Sequence, residues 1–220
     1  MRRVLRRLVI VAATTATLVA VASPAQAALS VRALWNMNSV PSMVDGAGGD
    51  NNGTTRNVTL SGGAYRFNGS NAIATAPDRP NLDPGSANVR LSARISFTQV
   101  PTNGQTFDIV RKGYATTSGG DYKIELRRSS AGQAVAACEF VDSRGRVAVQ
   151  GTVGLQGRGF VTVTCTKTSR GLSLTAGGQT RTVARTFGSI SNAAPVYIGA
   201  KGDGTDWYPG LMDWVKIEIG

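Results

Sequence analysis

The chain contains no histidine, and that one absence removes most familiar catalytic chemistry before any other residue is considered. Ser–His–Asp and Cys–His schemes both need an imidazole to take the nucleophile's proton. A zinc or dithiol centre is equally poorly supplied: the only cysteines are Cys138 and Cys165, with no CxxC spacing. No catalytic residue is therefore assigned. What remains is chemistry by oxygen donors, charge and aromatic surface. Tyr114 lies in a Gly/Asp/Thr-rich stretch between Lys112 and Asp121, and Trp207 in another between Gly202 and Gly210. Aromatic rings held in such loops stack on a sugar face, and Asp203, Asp206 or Lys112 would fix hydroxyls around them. The competing reading is that both rings pack over the edge of the fold.

The elements that must position these residues begin after a leader. Arg2, Arg3, Arg6 and Arg7 form a cationic start, residues 8–21 are apolar, and Ser23-Pro24-Ala25-Gln26-Ala27 supplies a small-x-small ending. This is the three-part secretory pattern, with cleavage expected after Ala27. The apolar stretch is short for a span of roughly 20 residues, and no later segment is apolar for long enough to cross a bilayer. Residues 28–220 then suit one domain with a sizeable core, expected to be monomeric. Export places Cys138 and Cys165 in an oxidising compartment, and an even count there implies a bridge. It would close a loop of 27 residues, for which the chain-entropy argument gives roughly 3–4 kcal/mol.

The pattern beyond the leader is all-β. Val89, Leu91, Ala93, Ile95 and Phe97 alternate with Arg90, Ser92, Arg94, Ser96 and Thr98. Tyr122, Ile124 and Leu126 alternate with Lys123, Glu125 and Arg127, and Val161, Val163 and Cys165 with threonines. A period of two with one apolar face marks half-buried antiparallel strands. Asn68-Gly69, Asn103-Gly104, Gly119-Gly120 and Gly177-Gly178 punctuate the runs with residues that tolerate tight turns. Many short strands with regular turns predict an all-β sandwich or jelly roll. By parity both thiols look inward, from neighbouring strands. Parity also puts Asp213 on the inward face with Val215, Ile217 and Ile219, where a carboxylate must be paired, hydrogen-bonded or metal-bound.

Five segments, in order, resemble the laminin-G-like jelly rolls of the concanavalin A-like lectin/glucanase group, in particular those secreted by actinobacteria. They are Leu34-Trp35-Asn36-Met37-Asn38 with Asp45-Gly46-Ala47-Gly48 and Asn51-Asn52-Gly53; Tyr65-Arg66-Phe67-Asn68-Gly69-Ser70; Arg111-Lys112-Gly113 with Tyr122-Lys123-Ile124-Glu125-Leu126; Val161 to Lys167 with Leu172 to Gly178; and Ile198-Gly199 with Tyr208-Pro209-Gly210-Leu211-Met212-Asp213-Trp214-Val215. The resemblance covers nearly all of residues 28–220. It departs at Gly159-Phe160, where many relatives have Trp-His, and at Gly177-Gly178, where they have Asp-Gly.

The resemblance implies a two-sheet antiparallel jelly-roll β-sandwich of the concanavalin A-like type and an extracellular, bacterial location. Glucanase members carry a Glu-x-Asp-x-x-Glu strand, whose spacing places an acid and a nucleophile on one face. Here the glutamates are Glu125, Glu139 and Glu218, none of them near another carboxylate at that spacing. Relatives often hold a structural Ca²⁺ where first and last strands meet. On that basis Asp213, Asp45 and a carbonyl near Gly69 are the expected oxygen ligands, against the simpler reading that Asp213 caps backbone N–H groups. No other cofactor is called for. The expected partner is a polysaccharide or cell-wall polymer, with an extracellular protein as the alternative and an unfamiliar glycan-active enzyme third. Arg90, Arg94, Lys123 and Arg127 fall on outward parity, which suits acidic wall polymers. An exported chain without a recognised nucleic-acid module is not expected to bind nucleic acid.

Overall fold

The computed structural model describes residues 28–220, so the expected leader lies outside the described residues. The strands are β1 (Ser30–Trp35), β2 (Ser42–Met43), β3 (Gly53–Arg56), β4 (Thr59–Ser61), β5 (Ala64–Asn68), β6 (Ile73–Ala76), β7 (Val89–Phe97), β8 (Thr106–Lys112), β9 (Asp121–Arg128), β10 (Ala134–Asp142), β11 (Gly145–Gln150), β12 (Val161–Thr168), β13 (Gly171–Ala176), β14 (Gln179–Ala184), β15 (Val196–Ile198) and β16 (Pro209–Ile219). A 3-10 turn, Pro80–Leu82, precedes β7. The first sheet runs β14-β13-β12-β7-β16-β5-β4, with β1 also paired to β16; the second runs β11-β10-β9-β8-β15-β6-β3-β2. All pairings are antiparallel, which gives the all-β jelly-roll sandwich expected from the alternation and the resemblance together.

The apolar parity of each strand fills the space between the sheets. Val89, Leu91, Ala93 and Ile95 of β7 are wholly buried, and they face Tyr122, Ile124 and Leu126 of β9 and their neighbours in one continuous core. Burying each large aliphatic or aromatic side chain contributes about 1.5–3 kcal/mol. Tyr65, Phe67, Tyr208 and Phe97 meet edge-on in sequence, with ring centroids 6.3, 6.0 and 6.1 Å apart. Edge-to-face contact matches the positive rim of one ring to the negative face of the next.

Cys138 and Cys165 are bridged, with Cα atoms 5.8 Å apart. The expectation of neighbouring strands is corrected: β10 belongs to the second sheet and β12 to the first, so the bond crosses the core and ties the layers together. Parity shows that a thiol points inward but does not say from which sheet it comes.

Two bulges reset parity. On β16, Met212 pairs with Ile95 and Trp214 with Arg94, leaving Asp213 as an extra residue. Met212 and Val215 are therefore both inward and fully buried, while Asp213 is displaced to the outer face. The inward placement expected for Asp213 is thus overturned by one inserted residue. On β8, Asp108 pairs with Glu125 and Val110 with Ile124, so Ile109 is extra. That insertion brings Asp108 and Arg111 onto one face and turns Val110 and Lys112 inward with Ile124 and Tyr122.

Candidate functional site

The outer face of β8, β9, β10 and β11 forms the floor of a groove of about 700 Å³. Its walls are the segment carrying Tyr114 and the segment carrying Lys201, Asp203 and Asp206. The floor is built by register. Lys123 lies opposite Glu139 on β10 and opposite Arg111 on β8, so charges that look merely alternating along β9 become a two-dimensional array.

The array is layered. Glu125 and Glu139 have side chains 1% and 3% exposed, while Lys123, Arg127 and Arg146 are 12%, 26% and 58% exposed. Lys123 Nζ donates to Glu125 Oε2 at 2.6 Å, Arg127 Nε donates to Glu125 Oε1, and Arg127 Nη2 donates to Glu139 Oε2 at 2.8 Å. Arg146 Nε lies 3.5 Å from Glu139 Oε1. Burial works to raise the Glu125 carboxyl, but Lys123 and Arg127 outweigh it and hold the group below the usual carboxylate range. The acids are thus consumed beneath, and the cations face the groove. Deeper still, Arg111 Nη1 donates to Asp108 Oδ2 at 2.7 Å, and Nη2 lies 3.5 Å from Asp121 Oδ2.

Tyr114 stands half-buried above this floor. Its ring lies 4.8 Å above the Arg111 guanidinium, 6.3 Å from the Tyr197 ring in a stacked pose, and 5.7 Å from Lys201 Nζ. Gly202 makes the arrangement fit, because a Cβ there would come within 2.6 Å of the Tyr114 hydroxyl and 2.3 Å of Tyr197. Trp207, also half-buried, lines a neighbouring hollow of about 490 Å³. A third, of about 410 Å³, opens beside Arg128 and Ser129. Thr106 lines all three, and Asp206 lies between the first two. Asp206 holds a left-handed backbone, φ 54°, while its carbonyl accepts from Asp108 N at 2.8 Å.

The structure therefore gathers Tyr114, Asp203 and Asp206 in one groove and sets Trp207 next to it. Lys112 is not there. It is wholly buried, turned inward by the β8 bulge toward Asp83 and Asn192. Arg90 and Arg94 also fall elsewhere, on the outer face of the first sheet. Arg94 pairs with Asp213 and covers the Phe160 ring at 4.6 Å, and Arg90 lies 3.7 Å from Glu218. Along the sequence nothing marks Arg111, Glu125, Glu139 and Arg146 as groove residues. The Lys-x-Glu-x-Arg alternation at residues 123–127 was the available signal, but only the strand register shows what it faces.

Asp213, Asp45 and Gly69 do not fit a calcium site. Asp213 is committed to Arg94. Asp45 accepts from Leu34 N and Ala47 N at 2.9 Å, from Asn51 N at 3.2 Å and from Asn51 Nδ2 at 2.9 Å, so donors surround its carboxylate. Gly69 sits in a turn closed on Asn68 Oδ1 and pressed against Pro209. Among the described residues no group of three or more His, Cys, Asp or Glu side chains converges as a metal site would require, and no helix is long and apolar enough to cross a membrane.

No protein-family model and no curated protein matches the chain. Solved structures do. The binding domain of Paraclostridial Mosquitocidal Protein 1 superposes with a TM-score of 0.67 at 13% identity, over 86% of this chain and 48% of that one. Domain 4 of AbnA, a GH43 extracellular arabinanase from Geobacillus stearothermophilus solved with arabinotriose, gives 0.62 at 14% identity, over 87% and 93%. Domains LG4-5 of the mouse laminin alpha1 chain give 0.50 at 13% identity, over 74% and 44%. The chain spans about half the length of the toxin binding domain. At these identities the likeness carries the fold alone, a jelly-roll β-sandwich.

Proposed function

We propose that this protein is an extracellular, non-catalytic binding module of the secreted laminin-G-like type, and that its groove takes an acidic polysaccharide or cell-wall polymer. One observation carries the reading: carboxylates form the buried layer of the groove floor and cations the exposed one, beneath a tyrosine wall. Such a surface offers guanidinium groups to a ligand carboxylate or phosphate and an aromatic face to a sugar ring. The three adjoining hollows suit a chain rather than a single sugar. The leader pattern and the inter-sheet disulfide support an extracellular setting. The arabinotriose complex of AbnA domain 4 supports a glycan as the class of ligand.

The test is calorimetric titration of the full chain with polygalacturonate and with purified teichoic acid, against neutral arabinan and xylan. Acidic polymers are expected to bind and neutral ones to bind at least about tenfold more weakly, a difference of ~1.4 kcal/mol. Arg146→Gln should weaken acidic binding without lowering the melting temperature, since its side chain is 58% exposed, and Tyr114→Ala should weaken it too, with some loss of stability because its half-buried ring packs on Arg111 and Tyr197. Equal binding of neutral and acidic polymers, or variants that bind like wild type, defeats the assignment. Capture of an extracellular protein with no glycan bound would favour the adhesion reading instead.

A further inference from the structure

Lys112 has an environment that an ion pair alone does not explain. Its side chain is 0% exposed, at the inward end of β8. Nζ donates to Asp83 Oδ1 at 2.7 Å, to Asn192 Oδ1 at 3.2 Å and to the Asn192 backbone carbonyl. Asp78 Oδ1 also lies 2.7 Å away, though out of hydrogen-bonding alignment, and so contributes charge only. Asn192 is itself nearly buried, at 6% exposed. Its side-chain amide is clamped at both ends: Oδ1 accepts from Ala194 N at 2.9 Å, and Nδ2 donates to Gly120 O at 2.8 Å. Asp83 Oδ1 also accepts from Asn192 N at 3.2 Å, which ties the carboxylate to the same residue. Two aspartates suffice to neutralise a buried ammonium. They do not call for a primary amide held against the amine with a backbone N–H on its carbonyl oxygen.

We propose that Lys112 and Asn192 join in an intramolecular isopeptide bond, with Asp83 as proton relay. The parts of an acyl transfer are present: an amine nucleophile, a carboxylate within one hydrogen bond of it, and a fixed donor at the oxygen where charge develops. Burial keeps water away from the carbonyl, and the clamped amide holds the reacting groups in contact. The Lys112 ammonium passes a proton to Asp83 along the 2.7 Å hydrogen bond. The amine lone pair then attacks Asn192 Cγ, the Nζ–Cγ bond forms, and the carbonyl electrons move onto Oδ1, where Ala194 N–H stabilises them. The second proton travels from Nζ through the Asp83 carboxyl to Nδ2. The carbonyl reforms, the Cγ–Nδ2 bond breaks, and ammonia leaves, taking the first proton back from the Asp83 carboxyl to depart as ammonium. One ammonium and one primary amide become one secondary amide and one free ammonium ion, with no oxidant or co-reactant. The product ties β8 to the segment entering β15, across 80 residues of chain.

The experiment is intact mass spectrometry of the exported protein with the Cys138–Cys165 bridge reduced, followed by tryptic mapping. The expected mass falls short of the sequence value by one ammonia. The fragment from Lys112 to Lys123 should appear joined to the fragment from Thr186 to Lys201, with cleavage after Lys112 blocked. In Asp83→Asn, which keeps the size of the side chain but cannot relay protons, the two fragments should separate. In Asn192→Asp the same link should form with loss of water in place of ammonia. Full mass in the wild type, with a free fragment from Gly113 to Lys123, overturns the proposal. So does an ammonia deficit that maps to Asn52-Gly53, Asn68-Gly69 or Asn103-Gly104, where succinimide formation gives the same mass.

Discussion

At the scale of single residues, burial and pairing push the acids of the second sheet in opposite directions. Asp108 is wholly buried, and burial lifts its carboxyl to about 7, with Arg111 and Lys123 offsetting only part of the rise. Burial likewise lifts Asp121 to about 6 against Arg111. In the unfolded chain both titrate at about 4. The folded protein therefore holds protons that the unfolded chain has already released. The stability they contribute is complete below about pH 4 and is lost as pH rises through 6 and 7. Glu125 behaves oppositely: its carboxyl is held low, so its contribution is present above about pH 4.5 and disappears as acid protonates it. Asp45 follows Glu125, because backbone and Asn51 donors outweigh its burial. Together these give a melting temperature that is highest near pH 4 and declines as pH rises to about 7. Asp108→Asn fixes the neutral form at that position and should flatten the alkaline decline while leaving the acid limb in place. Thermal melts of both proteins between pH 2 and 8 check this, and parallel curves would refute it.

At the scale of elements, the strands were legible and their faces only partly so. Val89 to Phe97 and Tyr122 to Leu126 read correctly because a half-buried strand must alternate, and alternation survives wherever the ladder is regular. Asp213 and Asp108 read wrongly or not at all because a bulge adds one residue to one strand, and a one-residue shift exchanges the faces beyond it. Nothing in Leu211-Met212-Asp213-Trp214 marks the inserted residue. Glu125 and Glu139 could not be read as a pair for a related reason: they are neighbours only through the β9–β10 register, while along the chain they are far apart. The disulfide was legible as a pair, but its role as a tie between sheets was not. That role makes it testable. Cys138→Ala with Cys165→Ala removes the closed loop of 27 residues and should cost about 3–4 kcal/mol. At about 2–4 °C per kcal/mol for a domain of this size, the melting temperature should drop by roughly 10 °C. Dithiothreitol should reproduce the drop in the wild type. A melting temperature unchanged by either treatment would mean that the layers are held by packing alone.

At the scale of the molecule, the charge is large and its placement matters more than its sum. The full chain carries a net charge of +11 at pH 7, and such an excess attracts any polyanion non-specifically. A groove acts more narrowly: a polyanion is held where cations overlie buried acids, and not wherever arginines stand. On the outer face of the first sheet, Arg90 and Arg94 face Glu218 and Asp213 within their own surface, and Arg66 of β5 is exposed with a hydrogen bond to Ser61 Oγ at 2.8 Å. Arg146→Glu and Arg66→Glu change the net charge equally but act on opposite outer faces of the sandwich. If net charge governs, both should weaken polygalacturonate binding to the same extent and lose their effect together as salt shortens the screening length from ~10 Å at 0.1 M. If the groove governs, Arg146→Glu should weaken binding about tenfold or more at 0.1 M salt, and Arg66→Glu should leave it within about twofold. Titrations at two salt concentrations decide between them, and equal losses from the two variants would turn the groove back into an ordinary basic surface.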